Sequence, residues 1–470
     1  MNFRLLPRAL ACTAICLSFL FHPAQAQDKS DEDSASNNKQ TSSAAQKLYS
    51  AAKNDLLQIR VLVKNGRTQS SVGSGFMIGQ SDLVVTNYHV VSQIALEPEV
   101  YVGEFVDTND QRGTVELLAV DVLHDLAVVR ISRRGTGFFQ IPEDSAQLPK
   151  LNQGQYLYSL GNPLDLGFAI SEGAYNGIIG RAFYDQLLFT GSINSGMSGG
   201  PNVTPSGALA GVNVAKRTDG ELVSFLVPAR FVVELLNKVK QQKSIPGNFN
   251  EEVGRQLIMH QNLMLDKLLE HPLNNKELGP YMVPVRESEQ MRCWGSSNTK
   301  EQATYTEDKI SCNMESSIYV SGKLQTGHVA ISHSFSKSKS LDALRFSIAM
   351  SDKFKNQIYA GNKQSNLTGP ACTEEFIKNE QLSQLSMRAV ICVRAYRKFA
   401  GIYDFRLITY SMDQEKEVLQ SLLSAKGVSY DNGLRLTRQF LQMIGRKSVI
   451  VSNMTPATAM PVKAANGSKQ

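Results

Sequence analysis

Between Leu56 and Pro228 short apolar runs alternate with glycine-bearing turns. LQIRVLV, VGSGFMIG, LVVTNYHVV, EVYVGEFV, TVELLAVDV and DLAVVRI form one group; QYLYSLG, GFAISEG, QLLFTGSI, GALAGVNVA and LVSFLV form a second. A polar stretch over residues 142–154 separates them. Runs this short and this closely spaced predict antiparallel strands closing into two β-barrels of about six strands each. Over residues 230–242, RFVVELLNKVKQQ, the period changes: Phe231, Leu235, Leu236 and Val239 share one helical face and close this unit, residues 48–245.

Past the loop SIPGN the pattern is mixed. Residues 251–271 carry an apolar helical stripe, MRAVICVRAY and IYDFRLITYSM read as a hairpin, and residues 415–425 read as a helix. The expectation is a separate α+β C-terminal domain over residues 250–450, of unknown function. The N-terminal end is different again. Arg4 and Arg8 precede a 13-residue apolar run, 9–21, followed by the small-x-small triplet Ala24-Gln25-Ala26. A bilayer span needs roughly 20 apolar residues, so residues 1–26 read as a cleaved signal peptide, and stable membrane insertion is not expected after cleavage. Residues 27–47, poor in large apolar side chains, read as a disordered leader, and residues 451–470 as a disordered tail.

Composition changes this picture little. Loss of residues 1–26 takes away Arg4 and Arg8, leaving 47 basic against 43 acidic side chains, a net charge of +4. So mild a bias does not point to nucleic acid, which calls for a clustered basic patch. The histidines are scattered, and neither a metal site nor a cofactor is expected. Four cysteines remain after the signal peptide: Cys293, Cys312, Cys372 and Cys392. In an exported chain an even number suggests two disulfides. Three pairings are open; the sequential one closes the shortest loops.

The barrel region holds two histidines, His89 in TNYHVV and His124 in LHDLAVV. A serine hydroxyl becomes a nucleophile when an imidazole takes its proton, and the imidazole needs a carboxylate to fix its tautomer. Neighbours on a strand point to opposite faces, so Asp125 is expected to face inward and His124 to face water. His89, placed where an apolar strand gives way to a loop, is then the base, and Asp125 its orienting acid. Ser198 sits in GMSGG. Flanking glycines allow a tight turn, and the N–H groups of Gly196 and Ser198 can converge on one spot as an oxyanion hole.

In combination, VGSGFMIGQSDLVVTNYHVV, DVLHDLAVVRI, YSLGNPLDLG, GSINSGMSGGP and ALAGVNVA resemble the trypsin-like serine endopeptidases, in particular the bacterial HtrA (Deg) branch. The resemblance covers about residues 56–240 and implies two perpendicular six-stranded barrels with the site in the cleft between them, His89 and Asp125 on the first and Ser198 on the second. It implies peptide-bond hydrolysis through an acyl-enzyme on protein or peptide substrates, a role in protein quality control, and a periplasmic or secreted location. It also places Ser192, Ile193, Val214 and Ala215 at the substrate pocket. With no carboxylate there, a small or medium apolar residue is expected on the acyl side of the scissile bond. Two departures stand out. Met197 replaces the asparagine that this branch carries before the nucleophile, and its thioether is expected to fill the barrel core. No PDZ-type carboxylate loop is recognisable after residue 250. A binding or scaffold protein with weak turnover, its C-terminal domain docking an unidentified partner, is the alternative.

Overall fold

The computed structural model describes residues 42–216, 223–270, 273–298, 300–358, 365–379 and 385–447. The expected signal peptide, the tail, and residues 27–41 of the expected leader lie outside the described residues. The first barrel is built from β1 (Leu56–Val63), β2 (Gln69–Met77), β3 (Leu83–Thr86), β4 (Tyr101–Asp107), β5 (Arg112–Asp121) and β6 (Leu126–Ile131). It closes in the order β1-β2-β3-β6-β5-β4. The second uses β7 (Tyr156–Gly161), β8 (Ala169–Ile178), β9 (Leu187–Phe189), β10 (Pro201–Val203), β11 (Leu209–Lys216) and β12 (Ser224–Pro228). Its closed order is β10-β11-β12-β9-β8-β7. The expected pair of six-stranded antiparallel barrels is what forms.

Strand β6 explains its own unbroken apolar sequence. Ala127, Val129 and Ile131 fill the first barrel, while Leu126 and Val128 pack outward with Val232 and Leu235 of helix α3. Four helices frame the barrels: α1 (Ser43–Ala52), α2 (Tyr88–Leu96), α3 (Ala229–Gln241) and α4 (Asn250–Leu269). Three of these correct the sequence reading. The last part of the expected disordered leader is the start of α1: Ser42 caps it, accepting from the Ala45 amide, and Ala45 and Leu48 are buried in a core shared with the second barrel. Its small residues suffice because they only have to lie flat against that surface. The chain after β3 enters α2 rather than a loop, so His89 sits in a first helical turn. The face that α3 buries is centred on Val232, Leu235 and Leu236, with Phe231 and Val239 at its margin.

The C-terminal region contains β13 (Asn274–Leu278), β14 (Tyr281–Val285), β15 (Met291–Asn298), β16 (Tyr305–Met314), β17 (Ile318–Ser321), β18 (Leu324–Thr326) and β19 (His328–Ser338). After α5 (Ala343–Lys355) come β20 (Ala371–Asn379), β21 (Leu385–Ala395), β22 (Tyr403–Ser411), β23 (Glu417–Val428), α6 (Tyr430–Gln442) and β24 (Gly445–Arg446). A seven-stranded antiparallel sheet runs β15-β16-β19-β23-β22-β21-β20, beside a three-stranded sheet β13-β14-β24 and the hairpin β17-β18. The expected β21–β22 hairpin forms. The helix expected over residues 415–425 does not: this segment is β23, at the centre of the sheet. Leu419 and Leu423 pack on the face covered by α4 and α6, whereas Val418 and Leu422 face α5. A strand buried on both faces reads as a continuous apolar run, which hides its period of two.

The barrels and the C-terminal sheet are not isolated from each other. Phe249, Val253 and Leu257, together with Ile318, Val320 and Leu324, join Val90, Val91 and Ala95 in one core. Gln256 accepts from the Val122 amide at 2.7 Å and donates to Val120 O at 2.9 Å, both buried.

Cys293 pairs with Cys312 and Cys372 with Cys392. Each bridge joins directly opposed residues, the first tying edge strand β15 to β16 and the second tying β20 to β21. The two ends of the sheet are therefore fastened covalently, at strands whose outer residues are largely exposed. A bridge closing a loop of this length contributes about 3 kcal/mol. Replacing Cys372 and Cys392 by serine is expected to speed amide hydrogen exchange across residues 371–379 while exchange in β1–β6 stays unchanged. Equal protection of residues 371–379 in both proteins would show that the bridge does not hold this edge.

Candidate active site

Helix α2 and the turn before β6 build one half of the site. Residues 122–125 form a turn, and Asp125 adopts a positive φ of 55°, a conformation that Asp tolerates better than most side chains. The strand alternation expected across His124-Asp125 therefore does not apply. His124 does not face water: its ring stacks on Phe231 with centroids 3.6 Å apart, and its Nδ1 lies 2.7 Å from Asp121 Oδ2. It is locked into the barrel-to-α3 packing.

Asp125 instead turns to α2. Its Oδ1 accepts the His89 amide at 2.8 Å and its Oδ2 lies 2.6 Å from His89 Nδ1. Its carbonyl accepts from the Tyr88 amide at 3.1 Å and from Asn87 Nδ2 at 2.7 Å. The first turn of a helix leaves N–H groups without intrahelical partners, and Asn87, at the N-cap position, makes no side-chain capping bond. Asp125 supplies the cap from a distant part of the chain. The same carboxylate can only accept, so the His89 proton sits on Nδ1 and Nε2 is left as an acceptor. Burial disfavours the imidazolium, but the charge of Asp125 and its hydrogen bond outweigh burial, and the His89 pKa stands above its ordinary value.

The second half is the turn of residues 191–200. Gly196 and Gly199 have φ of +92° and +86°, a region that glycine enters freely. Space forbids side chains there as well. A Cβ on Gly196 would lie 2.4 Å from Asn162 O, and one on Gly199 2.3 Å from Ser74 O. Ser74 of β2 locks this turn to the first barrel: its amide donates to Ser198 O at 2.7 Å and its hydroxyl to Gly196 O at 2.7 Å. The Ser74 hydroxyl also accepts from the Asn162 amide at 2.9 Å. From inside the second barrel, Asn213 donates to Met197 O at 3.3 Å and to Leu160 O at 3.0 Å.

The Ser195 carbonyl accepts from the Leu164 amide at 2.7 Å. In a trans peptide the carbonyl and the next N–H point in opposite directions, so the Gly196 N–H is turned away from Leu164. Leu164 itself takes φ +54° and is well exposed, at a position where a branched residue with positive φ is uncommon. Met197 is 2% exposed and packs with Leu157, Phe189, Ile193 and Leu226 in the second barrel. The thioether thus fills the core, as expected.

The two halves adjoin. Gly73, beside Ser74, has both Val90 Cγ2 and Ser198 O within 3.0 Å of where its Cβ would stand. The Ser198 hydroxyl, however, donates to Val214 O at 2.9 Å rather than to His89. Of the expected pocket residues, Ser192 is exposed and its carbonyl accepts from Ser171, whereas Ile193 is buried in the barrel core. Val214 lines a cavity of about 140 Å³ with Asp125, Tyr184 and Tyr319, and Ala215 follows it in β11, opposite Phe225. Among the described residues no group of three or more His, Cys, Asp or Glu is placed to hold a metal ion.

Ser74, Asn213 and Asp125's capping role escaped the sequence reading. VGSG and GVN carry no mark of a bridging hydroxyl or amide until the barrels meet. Tyr319 escaped too, since it lies about ninety residues beyond the last barrel strand.

Residues 73–212 match the family model described as a trypsin-like peptidase domain. The chain is 29% identical over 175 residues to a probable periplasmic serine endoprotease DegP-like from Bartonella henselae, covering 36% of this chain and 33% of that protein. It is 28% identical over 201 residues to the serine endoprotease DegS of Escherichia coli K12, covering 40% of this chain and 53% of that one. To the putative serine protease HhoA of Synechocystis it is 25% identical over 221 residues, covering 45% and 52%. The match thus spans between a third and about half the length of these curated relatives. A crystal structure of a serine endoprotease from Yersinia pestis aligns with TM-score 0.36 and 22% identity, over 43% of this chain and 68% of that one. The matched segment, residues 73–212, falls within the paired barrels, and over it the chain is similar to the trypsin-like peptidase domain and to the HtrA/Deg serine endoproteases.

Proposed function

We propose that this protein is an exported serine endopeptidase that hydrolyses peptide bonds through an acyl-enzyme formed on Ser198. The observation that carries the reading is the double grip of Asp125 on His89, which leaves Nε2 ready to accept a proton. In the first step Ser198 Oγ attacks the scissile carbonyl carbon while its proton passes to His89 Nε2. The resulting oxyanion is held by the N–H groups of Gly196 and Ser198. Collapse expels the amine, which takes the proton from His89, and water attacks the acyl-enzyme by the same route in reverse. In this reading the Ser198 hydroxyl leaves Val214 O for another staggered χ1 well when it reacts, a small cost for an unbranched hydroxyl.

Export is supported by residues 1–26, by two disulfides, which persist in oxidising compartments, and by the periplasmic description of the Bartonella relative. No described helix is long and apolar enough to cross a membrane. Protein or peptide substrates, met during quality control of exported proteins, complete the reading. The specificity residues Ser192 and Val214 favour an apolar acyl-side residue. A second reading is favoured by one observation: the Ser198 hydroxyl rests on Val214 O. It makes the protein a protease-fold binding module of weak turnover, whose C-terminal region docks a partner.

Ser198→Ala is expected to lower the rate of hydrolysis of an unfolded protein substrate by about 10⁴-fold or more, with an unchanged thermal midpoint. Hydrolysis that survives the substitution would exclude Ser198 as nucleophile. The reaction needs a neutral imidazole. Because the His89 pKa is raised, kcat/KM is expected to fall on the acid side with a midpoint above the ordinary histidine value of about 6.5. A pH profile flat down to pH 5, or a midpoint below the ordinary value, would contradict His89 as the base.

A further inference from the structure

The C-terminal region touches the far end of α2, where Lys398 Nζ donates to Leu96 O at 3.1 Å, and the hairpin of β17 and β18 reaches the same helix at its His89 end. Ile318, Val320 and Leu324 sink into the core formed by Val90, Val91 and Ala95 on α2. Burying side chains of this size contributes about 1.5–3 kcal/mol each, which fixes the hairpin against the helix. The Tyr88 hydroxyl, fully buried, donates to Val320 O at 2.8 Å. Tyr88 is the residue immediately before His89, so the attachment is made at the site itself.

Tyr319, between those two anchors, is half-buried and turned to the imidazole. Its ring meets His89 edge to face, with centroids 5.9 Å apart and planes at 74°. It meets Tyr88 in the same manner at 6.4 Å. Its hydroxyl lies beside Ser92, whose own hydroxyl donates to His89 O at 3.2 Å. Tyr319 also shares the cavity beside Asp125 and Val214. The imidazole is thus held on one side by a carboxylate and on another by an aromatic ring from outside the barrels.

We propose that Tyr319 is a positioning residue for His89, so that the C-terminal region completes the active site of the protease barrels. The inference rests on the endopeptidase reading for its kinetics, though not for its geometry. Asp125 fixes the Nδ1 end of the ring, but a single hydrogen bond leaves the imidazole free to pivot about its side-chain torsions. The edge contact removes that pivot and keeps water from the Nδ1–H to Asp125 bond. Misplacing a catalytic group by about 1 Å costs on the order of 100-fold in rate, so a second hold on the ring has a large effect on kcat and little on substrate affinity.

The test uses the full chain. Tyr319→Ala and Tyr319→Leu are expected to lower kcat about 10- to 100-fold with KM little changed, and Tyr319→Phe, which keeps the ring, recovers most of the loss. In a Ser198→Ala background the downfield proton resonance of His89 Nδ1–H should persist with Phe and vanish by solvent exchange with Ala or Leu. The Leu variant retains apolar bulk and serves if Ala does not fold. The proposal is overturned if Ala and Leu keep both the rate and the resonance, or if Phe fails to restore what they lose. The resonance does not require turnover. Its loss in a protein lacking Ser198-dependent hydrolysis would leave the positioning role standing while the endopeptidase reading fell.

Discussion

One carboxylate sets the geometry on which the rest of the site depends. Asp125 accepts a helix amide and an imidazole N–H from the same residue, His89. A helix end needs its unpaired amides satisfied, and the proposed base needs its tautomer fixed; Asp125 is placed to serve both needs. The turn that puts Asp125 there runs through a positive φ, so the first barrel stores a little backbone strain beside His89. Capping of α2 and orientation of the His89 ring then rest on one side chain.

Assembly of the second half follows a similar economy. Ser74 holds the carbonyls of Gly196 and Ser198 from the first barrel, and Asn213 and Leu164 hold those of Met197 and Ser195. The Met197 amide donates to Asn194 O at 3.0 Å, which leaves those of Gly196 and Ser198 for the oxyanion role proposed above. Met197 contributes by burial rather than by charge, anchoring the turn in the barrel core. The loop of residues 191–200 is therefore positioned by packing and by hydrogen bonds across the barrel junction, and the C-terminal hairpin reaches the opposite wall.

Much of this was legible in the chain. Short apolar runs broken by glycine announced the barrels, because half-buried strands have a strong local signature. His89, Asp125 and Ser198 stood out as candidates because only two histidines fall in the barrel region and Ser198 is the serine inside GMSGG. What was not legible depends on distant partners. The segment of β23 has the residues of a helix, and only its place between β19 and β22 makes it a strand. His124 was set in the wrong environment because a turn at Asp125 broke the alternation. The leader's last residues became α1 because a nearby barrel offered a surface. Ser74 and Tyr319 carry no local mark, since each acts through residues more than a hundred positions away.

The measurement that bears most directly on this account is labelling by a fluorophosphonate, followed by peptide mass spectrometry, on the intact protein and on its His89→Ala variant. The proposed proton transfer from Ser198 to His89 requires stoichiometric modification of Ser198 in the former and essentially none in the latter. Folded protein that stays unmodified, or modification at equal rates without the imidazole, would mean that the two halves of the barrel pair do not cooperate as described.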